Sequence, residues 1–517
     1  MSKAKIGKDV IESLTLGMYE DSRFIFREYI QNSADQIDKA VELDIIKNRN
    51  EGNIYIDIDP INNKIVFEDD ATGIKSNEFS SILKDIAQST KDRGIHKGFR
   101  GIGRLGGLGY CDKLTFESSY VGEVSKSIMV WDAKGLKEII NDRTKKEEAT
   151  EVIEAITNTT TETEDKEKHY FKVILENVTA PELLDICEVR EYLSMVSPVP
   201  FEGHFVFKNP IIKELEDNNL SIDEYKVYIN TEQLYKAYKT TIKDNNGNNK
   251  DEIFDVKFKL IEYKNNVIGF LWYGISKAIE QIPAKHNPAR GFRLRKGNIQ
   301  IGDEFTLSRF HREDRFNQYF LGEIHAFSPD LIPNARRDYF LDNKVCKAFE
   351  SEIKNFFAND IGKITRVASD INSANRKILT FEKVKNDFQE TQKKGFSSKE
   401  EKEKLINAFN DSKAKAEEAK DKLEKQKKKI EGNDVLSKIY DKVVTTDKNV
   451  PKKDEISHDV ENGKTKYRTD NLSKLNKNER KLVSRIYQVI DDKLTPDLAE
   501  NLKYWIEEDF KWKETFY

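Results

Sequence analysis

Cysteine is scarce in this sequence of 517 residues, with Cys111, Cys187 and Cys346 far apart along the chain. Three isolated cysteines do not make a disulfide framework and offer no paired zinc-ligand spacing. No stretch of roughly eighteen consecutive apolar residues occurs, and the first residues lack an apolar core of signal-peptide length. We therefore expect a protein of the reducing cytoplasm that neither spans a membrane nor is exported.

An excess of charge of one sign is also missing. Lysine and arginine number 87 and aspartate and glutamate 91, which leaves a formal charge of -4. No global electrostatic field therefore draws the protein to nucleic acid, although the overall charge does not exclude a local basic groove. Charged residues make up 34% and aromatic residues 10% of the chain, which is typical of folded domains with densely charged surfaces. The length predicts about three domains.

The first region mixes helical and strand-like patterns. Apolar residues recur at helical spacing over residues 9–48, and the alternating runs NIYIDIDP and NKIVFEDD predict a hairpin. KLTFESSY, SKSIMVWDA and HYFKVILENV predict further strands, and a helix is expected to end before Pro198. Between them, the polar, threonine-rich residues 141–168 predict a loop or flexible excursion. These patterns predict an α+β domain over residues 1–208, with helices on one face of a sheet.

Two further regions follow. Residues 209–350 contain the strand-like runs KVYIN, VIGFLWYGIS and GFRLRKGNIQIGD and the hairpin-like DNNGNNKD, and predict a second, smaller domain. Residues 351–517 have mostly helical patterns. Within them a heptad register over residues 400–431 is compatible with two arrangements, a helical hairpin within one chain or a short dimerising coiled coil. The heptad positions are Leu405, Phe409, Ser412, Ala416, Ala419, Leu423, Gln426 and Ile430.

One predicted helix carries a polar face. In FREYIQNSADQIDKA, Glu28, Asn32, Asp35 and Lys39 follow at spacings of four, three and four, so all lie along one side. A face of this kind is usually solvated. A carboxylate one turn before an amide is, however, also suited to placing a general base beside a metal ligand.

Two other segments carry chemistry. In IVFEDDATGI a strand ends at Asp69 and Asp70, and a turn with Gly73 follows. A carboxylate there could accept a hydrogen bond from an exocyclic amine, although such turns are common in hairpins. The stretch from Gly98 to Gly109 holds six glycines, which lets backbone N–H groups converge on phosphates. It matches neither a Walker loop nor a dinucleotide-binding fingerprint, and a flexible linker is the alternative.

The order and spacing of these three segments resemble the GHKL ATPases, which include the ninety-kilodalton heat-shock chaperones, MutL, type II topoisomerase ATPase subunits and MORC proteins. Within that superfamily the likeness is strongest to the chaperones, because Lys39, the run DIAQST and the strand FKVILENV have counterparts there. MORC and MutL come next. The resemblance implies a Bergerat-type ATP-binding α/β sandwich, a smaller βαβ transducer domain and a helical C-terminal region.

The resemblance also implies roles for individual residues. Glu28 would be the general base and Asn32 the ligand of Mg²⁺ on ATP. Asp69 would accept a hydrogen bond from the adenine amine, with Asp70 as the neighbouring alternative. Further nucleotide contacts would come from a group of helix, turn and glycine-lid residues: Asp35, Lys39, Gly73, Gly101, Gly103 and Gly106. Residues 89–100 would form a mobile lid.

The second domain extends the resemblance through LIPNARRDYF, which is similar to the transducer segment that reaches the γ-phosphate. Arg337 fits that role best and would be catalytic, with Arg336 as the alternative. Lys285 is a second candidate because MutL and MORC proteins use a transducer lysine, although an ordinary surface lysine explains it as well. An arginine in this position would stabilise negative charge in the transition state.

The resemblance implies an ATPase that acts as a chaperone-like clamp, a homodimer that ATP closes around a client. Three alternatives remain open: a nucleic-acid clamp of the MORC or MutL kind, for which resemblance also suggests bacterial defence; a nucleotide switch without turnover; and a histidine kinase. Glu28 and the absence of a preceding helix with a phospho-acceptor histidine argue against the kinase.

Overall fold

The computed structural model describes the following parts of the chain: residues 6–15, 21–86, 103–144, 146–445, 467–468, 470 and 475–512. The chain divides into two compact units, residues 1–363 and residues 364–517. In the described parts the first unit contains two β-sheets with their helices, and the second is mainly helical. The predicted α+β class with a helical C-terminal region is thus confirmed.

In the described residues, the first sheet is formed by eight short strands of the first unit, all within residues 53–233. They are β1 (Asn53–Asp59), β2 (Lys64–Asp69), β3 (Lys113–Ser119), β4 (Ser125–Asp132), β5 (Thr157–Thr163), β6 (Tyr170–Glu176), β7 (Lys226–Ile229) and β8 (Glu232–Gln233). Their spatial order is β5-β4-β3-β6-β2-β1-β7-β8. All neighbours in this order pair antiparallel except β1 and β7, which are parallel.

The helices of this region contribute buried residues to the core of the first sheet, except the last one, whose Ile211 and Leu215 belong to the core of the second sheet. They are α1 (Asp9–Thr15), α2 (Phe24–Glu42), α3 (Ser76–Lys84), α4 (Ala133–Asn141), α5 (Ala149–Ile156), α6 (Ile186–Val196) and α7 (Lys208–Asp217). Helix α2 packs on the sheet through Phe26 and Tyr29, whose ring centroids lie 5.2 and 4.7 Å from that of Phe67 on β2. Full burial of such side chains contributes about 1.5 to 3 kcal/mol each to folding, so this contact fixes α2 firmly over β2.

The hairpin predicted from NIYIDIDP and NKIVFEDD is confirmed as the antiparallel pair β1–β2. Its inward residues Ile54, Ile56 and Ile58 are buried, and Tyr55 and Asp57 between them are exposed. This alternation is the signal on which the sequence prediction relied.

The prediction of a loop over residues 141–168 is wrong, because helix α5 and strand β5 lie within it. Strand β5 is an edge strand that pairs antiparallel with β4, with Thr160 opposite Ile128. Almost all its side chains are exposed, so it shows no alternation of apolar and polar residues. Its threonines nevertheless favour the extended backbone, since they are β-branched.

Strands β7 and β8 follow residue 208 in sequence yet complete the first sheet. The domain limits expected at residues 208 and 350 stay predictions. Tyr225, just before β7, donates its hydroxyl to Asp38 on α2 at 2.8 Å from each carboxylate oxygen. This segment is therefore tied to the same helix that carries the polar motif.

The second sheet follows in the first unit. Its strands, together with the helix that packs on it, are β9 (Thr241–Lys243), β10 (Asn249–Tyr263), β11 (Asn266–Ser276), β12 (Gly291–Lys296), β13 (Ile299–Ile301), β14 (Leu321–Ala326) and α8 (Lys344–Phe356). The spatial order is β13-β12-β14-β11-β10-β9, and β12 and β14 are parallel. Phe356 of α8 packs edge-on against Tyr273 of β11, with ring centroids 5.5 Å apart.

A charged cluster lies inside this second sheet. Glu323 on β14 is fully buried and binds Lys236 at 2.8 Å, His325 at 2.9 Å and Arg295 on β12. Burial alone would raise the pKa of Glu323, but Arg295 and Lys236 hold that pKa well below its ordinary value. The cluster joins β12, β14 and the segment before β9, and a buried carboxylate of this kind requires such partners.

The second unit is formed by α9 (Gly362–Lys394), α10 (Lys399–Ile430), α11 (Asp434–Thr445), α12 (Lys477–Lys493) and α13 (Pro496–Trp512). Helices α9 and α10 form an antiparallel hairpin: Phe409 packs against Phe381 and Phe388, and Gln426 donates to Asp370 at 3.0 Å. The predicted heptad face thus packs within the chain. Within the described ranges, no helix has both the length and the apolar character needed to cross a bilayer.

Candidate nucleotide site

Helix α2 presents the polar motif at the first sheet. Glu28 and Asp35 are buried, with 7% and 5% of their surfaces exposed, Asn32 is partly buried, and Lys39 is exposed. The ordinary expectation of a solvated polar face is therefore not met for the two carboxylates. Charged groups are rarely buried unless other groups compensate them, so their surroundings are informative.

Glu28 lies between the glycine-rich segment and two arginines. A Cβ atom on Gly103 would overlap Glu28 Oε2, so only glycine fits this approach of the backbone. On the other side, Arg337 Nε lies 3.3 Å and an Arg27 guanidinium nitrogen 3.8 Å from Glu28 Oε1. This oxygen accepts no hydrogen bond from the described residues. The carboxylate is thus held beside positive charge with one oxygen still available.

Strand β2 ends at Asp69, which is 1% exposed. Burial raises the pKa of Asp69 to about 7, although the hydroxyl of Ser33 on α2 and the N–H of Ala71, at 3.3 Å, both donate to the carboxylate. The neighbouring Asp70 turns to β1, where it accepts from the backbone and side-chain amides of Asn53 at 2.6 and 2.7 Å. Of the two carboxylates, Asp69 is the one that faces α2.

The turn after Asp69 is packed against the sheet. Gly73 has φ +67°, and a Cβ there would overlap the carbonyl oxygen of Ser119 at the end of β3, so a side chain is excluded by both conformation and space. The hydroxyl of Thr72 donates to Gln36 on α2 at 2.9 Å. These contacts fix the turn below the helix that carries Glu28.

The glycine-rich segment begins, in the described part, with the 3₁₀ helix Gly103–Gly109. Gly106 lies against the ring of Phe24. The Tyr29 hydroxyl donates to the carbonyl of Arg104 at 3.0 Å and accepts from the N–H of Gly107 at 3.2 Å. Gly101 and the lid expected over residues 89–100 lie outside the described residues. The end of the glycine-rich segment is therefore anchored on the first two turns of α2.

Arg337 comes from the loop that follows the second sheet. Asn334 and Tyr339 close this loop by a backbone hydrogen bond of 2.8 Å, and Arg337 has φ +55°. A non-glycine residue in this left-handed conformation carries a conformational cost and is found at functional positions. Arg337 is 7% exposed beside Glu28, whereas the alternatives Arg336 and Lys285 are exposed.

Two residues near the site were missed from the sequence. Arg27 is 8% exposed and faces Glu28, and Ser33 bonds Asp69. The sequence offered one signal for both residues, their place next to motif residues on α2: Arg27 directly precedes Glu28, and Ser33 directly follows Asn32. The partners of both depend on the packing of α2, which the motif spacing does not report.

The described residues fit an adenine nucleotide with Mg²⁺. A buried carboxylate with free acceptor capacity, Asp69, suits an adenine amine, and the bare backbone at Gly103 permits close approach to Glu28. Magnesium on a nucleotide commonly takes only one or two protein oxygens, the rest coming from phosphates and water. The side chain of Asn32, one turn after Glu28, could provide such an oxygen.

Comparison with known proteins agrees with this geometry. A family model described as histidine kinase-, DNA gyrase B-, and HSP90-like ATPase matches residues 19–163, which include α2, the Asp69 turn and the glycine-rich segment. Residues 19–163 are therefore similar to the GHKL ATPases, which supports the resemblance predicted from the sequence.

Within that superfamily the chain is similar to the chaperone protein HtpG of Buchnera aphidicola subsp. Baizongia pistaciae. The two are 29% identical over 168 residues, which cover 28% of this chain and 26% of the relative. The match thus spans about a quarter of the length of that relative, and the likeness to heat-shock chaperones applies to the matched residues alone.

Proposed function

We propose that the protein binds and hydrolyses ATP with Mg²⁺ and that nucleotide closes a chaperone-like homodimeric clamp around a protein client. One observation carries the proposal: Arg337, from the loop after the second sheet, lies 3.3 Å from Glu28 on α2. A residue of the second sheet region therefore forms an ion pair with the candidate base. Because of this contact, closure of the protein around the nucleotide is coupled to the hydrolysis step.

In this mechanism Glu28 accepts the proton of the attacking water through Oε1, and Arg337 stabilises the charge that develops on the transferred phosphate. Asp69 accepts the adenine amine and selects ATP over GTP. Asn32 would hold Mg²⁺, and the bound ion would neutralise negative charge on the phosphates. Arg27 keeps Glu28 oriented toward Arg337 before nucleotide arrives.

Replacing Glu28 tests this assignment. Glu28→Ala is expected to keep ATP affinity and to lower phosphate release at least about 100-fold, because general-base catalysis contributes about that much or more. Affinity is measured by calorimetry and turnover by phosphate release. Glu78→Gln on α3, an exposed carboxylate, is the matched control and should behave as the wild type. Unchanged turnover in Glu28→Ala would remove Glu28 from the mechanism.

The proposed dimer contact lies on α12 and α13. Leu482, Ile486 and Val489 form a stripe on α12 with 62%, 45% and 58% of their surfaces exposed, and Trp505 on α13 is 65% exposed. The opposite face of α12 already packs against α13. Burial of such an apolar stripe against a second copy of the chain is favourable.

Light scattering tests the contact. We expect wild-type protein to be dimeric at about 10 µM, a concentration well above the Kd of a typical stable homodimer, and Ile486→Glu to be monomeric. Lys481→Glu, an exposed neighbour on the same helix, is the control and should remain dimeric. A monomeric wild-type protein would refute the clamp in this form.

A further inference from the structure

A cavity of about 880 Å³ lies within the first unit. Arg27 and Arg337, the two arginines beside the candidate base Glu28, both line it. One wall comes from the start of α2 and from α6, and includes Arg27 and Tyr192. The other comes from β12 and the segments around it, and includes Arg290, Arg293 and Phe305. A volume of this size is typical of small-molecule sites.

Each of the two walls carries a buried guanidinium group, Arg27 on one and Arg293 on the other. Arg27 and Arg293 are 8% and 4% exposed, and the Nε of each has no hydrogen-bond partner among the described residues. Arg293 donates from its terminal nitrogen to the carbonyl of Pro288 at 2.6 Å. The terminal nitrogen of Arg27 lies 3.8 Å from Glu28, which is too long for a hydrogen bond. Both side chains therefore retain unused donors.

The carboxylates near these guanidinium groups leave some of their donors without a hydrogen bond in the described part of the chain, since Glu28 lies 3.8 Å from Arg27. Glu304 alone serves two arginines, at 3.0 Å from Arg290 and 3.4 Å from Arg293. The other acidic residues that border the cavity are all exposed: Asp21, Glu188, Glu191, Asp303 and Asp338. Buried cations with unsatisfied donors are costly to the fold, and a bound anion would offset that cost.

We propose that this cavity binds a phosphate group, with the guanidinium groups of Arg27 and Arg293 as its donors. The planar fork of arginine matches a tetrahedral phosphate through paired N–H···O bonds, which explains why arginine rather than lysine lines the wall. The cavity exceeds the size of one phosphate ion, so it also accommodates a phosphorylated small molecule. Binding at this site does not require that the protein hydrolyse ATP.

The first arm of the test measures binding without nucleotide. Inorganic pyrophosphate is titrated by calorimetry into the full chain that carries Asp69→Asn, which disables the proposed adenine contact. We expect saturable binding, weakened about tenfold or more by Arg293→Gln, because the fork supplies charged hydrogen bonds. Arg315→Gln is the control: this arginine belongs to the same region, is exposed and pairs only locally with Glu313.

Arg293 is buried, so its loss could unfold the second sheet. Thermal melting of each variant checks this, and Arg290→Gln provides a second test, since the Arg290 side chain is already 15% exposed. Arg290→Gln removes a neighbouring positive charge and is expected to weaken pyrophosphate binding severalfold in a folded protein. No saturable binding at about 10 mM pyrophosphate, or equal affinity in wild type and both variants, would overturn the proposal.

The second arm identifies the source of the phosphate. This arm uses protein with the wild-type Asp69 and a single turnover of ATP. A phosphate sensor follows the appearance of free phosphate, and chemical quenching of the reaction follows the formation of ADP. If the cavity holds the phosphate released beside Glu28, phosphate appears later than ADP, and Arg293→Gln removes the delay. If phosphate and ADP appear together while pyrophosphate still binds, the ligand is a separate phosphorylated solute. Pyrophosphate binding without any ATP turnover would leave this proposal standing and refute the proposed function alone.

Discussion

Asp69 lies at the end of β2 with 1% of its surface exposed, and burial raises the pKa of its carboxyl to about 7. Its unfolded value is near 3.9, so the folded protein holds this proton more tightly than the unfolded chain. Folding therefore takes up a proton between about pH 4 and pH 7, and the contribution to stability falls as the pH rises through that window. The carboxylate that we propose as the adenine contact thus weakens the fold at neutral pH.

Asp69→Asn should reveal this cost. The variant keeps the shape of the side chain and its acceptor for the Ala71 N–H, and it is expected to be more stable than the wild type at pH 8 by about 1 to 4 kcal/mol. The gain should shrink toward zero near pH 4, while ATP affinity is lost at pH 7.5. Thermal melting across pH and calorimetry measure the two effects.

Asp57→Asn is the control for Asp69→Asn, since Asp57 is exposed on β1 and should change neither property. A variant at position 69 that binds ATP normally would contradict the adenine assignment. Equal stability gains at pH 4 and pH 8 would contradict the pKa argument.

At this same scale, the sequence predicted residues that belong to short motifs. The spacing of Glu28, Asn32 and Asp35 and the position of Asp69 before Gly73 are properties of short segments, so they could be read without a fold. Arg27 and the bond between Ser33 and Asp69 depend on how α2 packs over β2. Their burial arises from long-range packing that no local pattern encodes.

Among the elements, the hairpin of α9 and α10 decides between two arrangements that the heptad register left open. The face of α10 that carries Phe409 is buried against Phe381 and Phe388 of α9. A heptad face shows that a helix has a partner but not which helix the partner is. Strand β5 was missed for a different reason. It is an edge strand with exposed threonines, and such a strand needs no alternation of apolar and polar residues.

Phe409→Ala should loosen this hairpin by about 3 kcal/mol, because it removes a buried aromatic side chain and leaves a cavity. Hydrogen exchange should accelerate in α9 and α10 and stay unchanged in the first sheet, and the oligomeric state should not change. Lys415→Ala, an exposed residue of the same helix, is the control. Loss of the dimer without faster exchange in α9 would indicate that α10 pairs between chains instead.

For the molecule as a whole, two buried histidines of the second sheet region contribute to the loss of stability in acid. His311 is stacked on Phe357 with ring centroids 3.8 Å apart, and burial lowers its pKa to about 3. His325 is buried beside Glu323, and burial lowers its pKa to about 4. Both take up protons on unfolding between about pH 6.5 and pH 4, so stability falls as the pH falls through that window. This slope is opposite to that of Asp69.

His311→Phe should remove part of the acid sensitivity. The variant retains the stacked ring, and its melting temperature is expected to change less than that of the wild type between pH 7.5 and pH 5; the difference corresponds to a few kcal/mol at most. His286→Gln, at an exposed position, should follow the wild-type curve. Identical pH dependence in His311→Phe and wild type would show that His311 is not a source of the acid response.

Strands β7 and β8 carry a practical consequence for anyone who wishes to study the ATP-binding part alone. They cover β1, whose residues Asn53–Ile56 pair with Lys226–Ile229. A fragment cut at residue 208 would strip this cover and leave the backbone amides and carbonyls of β1 open to strands of other molecules, a known route to aggregation. It would also lose the Tyr225 hydroxyl that binds Asp38. A fragment that extends to residue 233 or beyond retains both and is the better choice for crystallisation or spectroscopy.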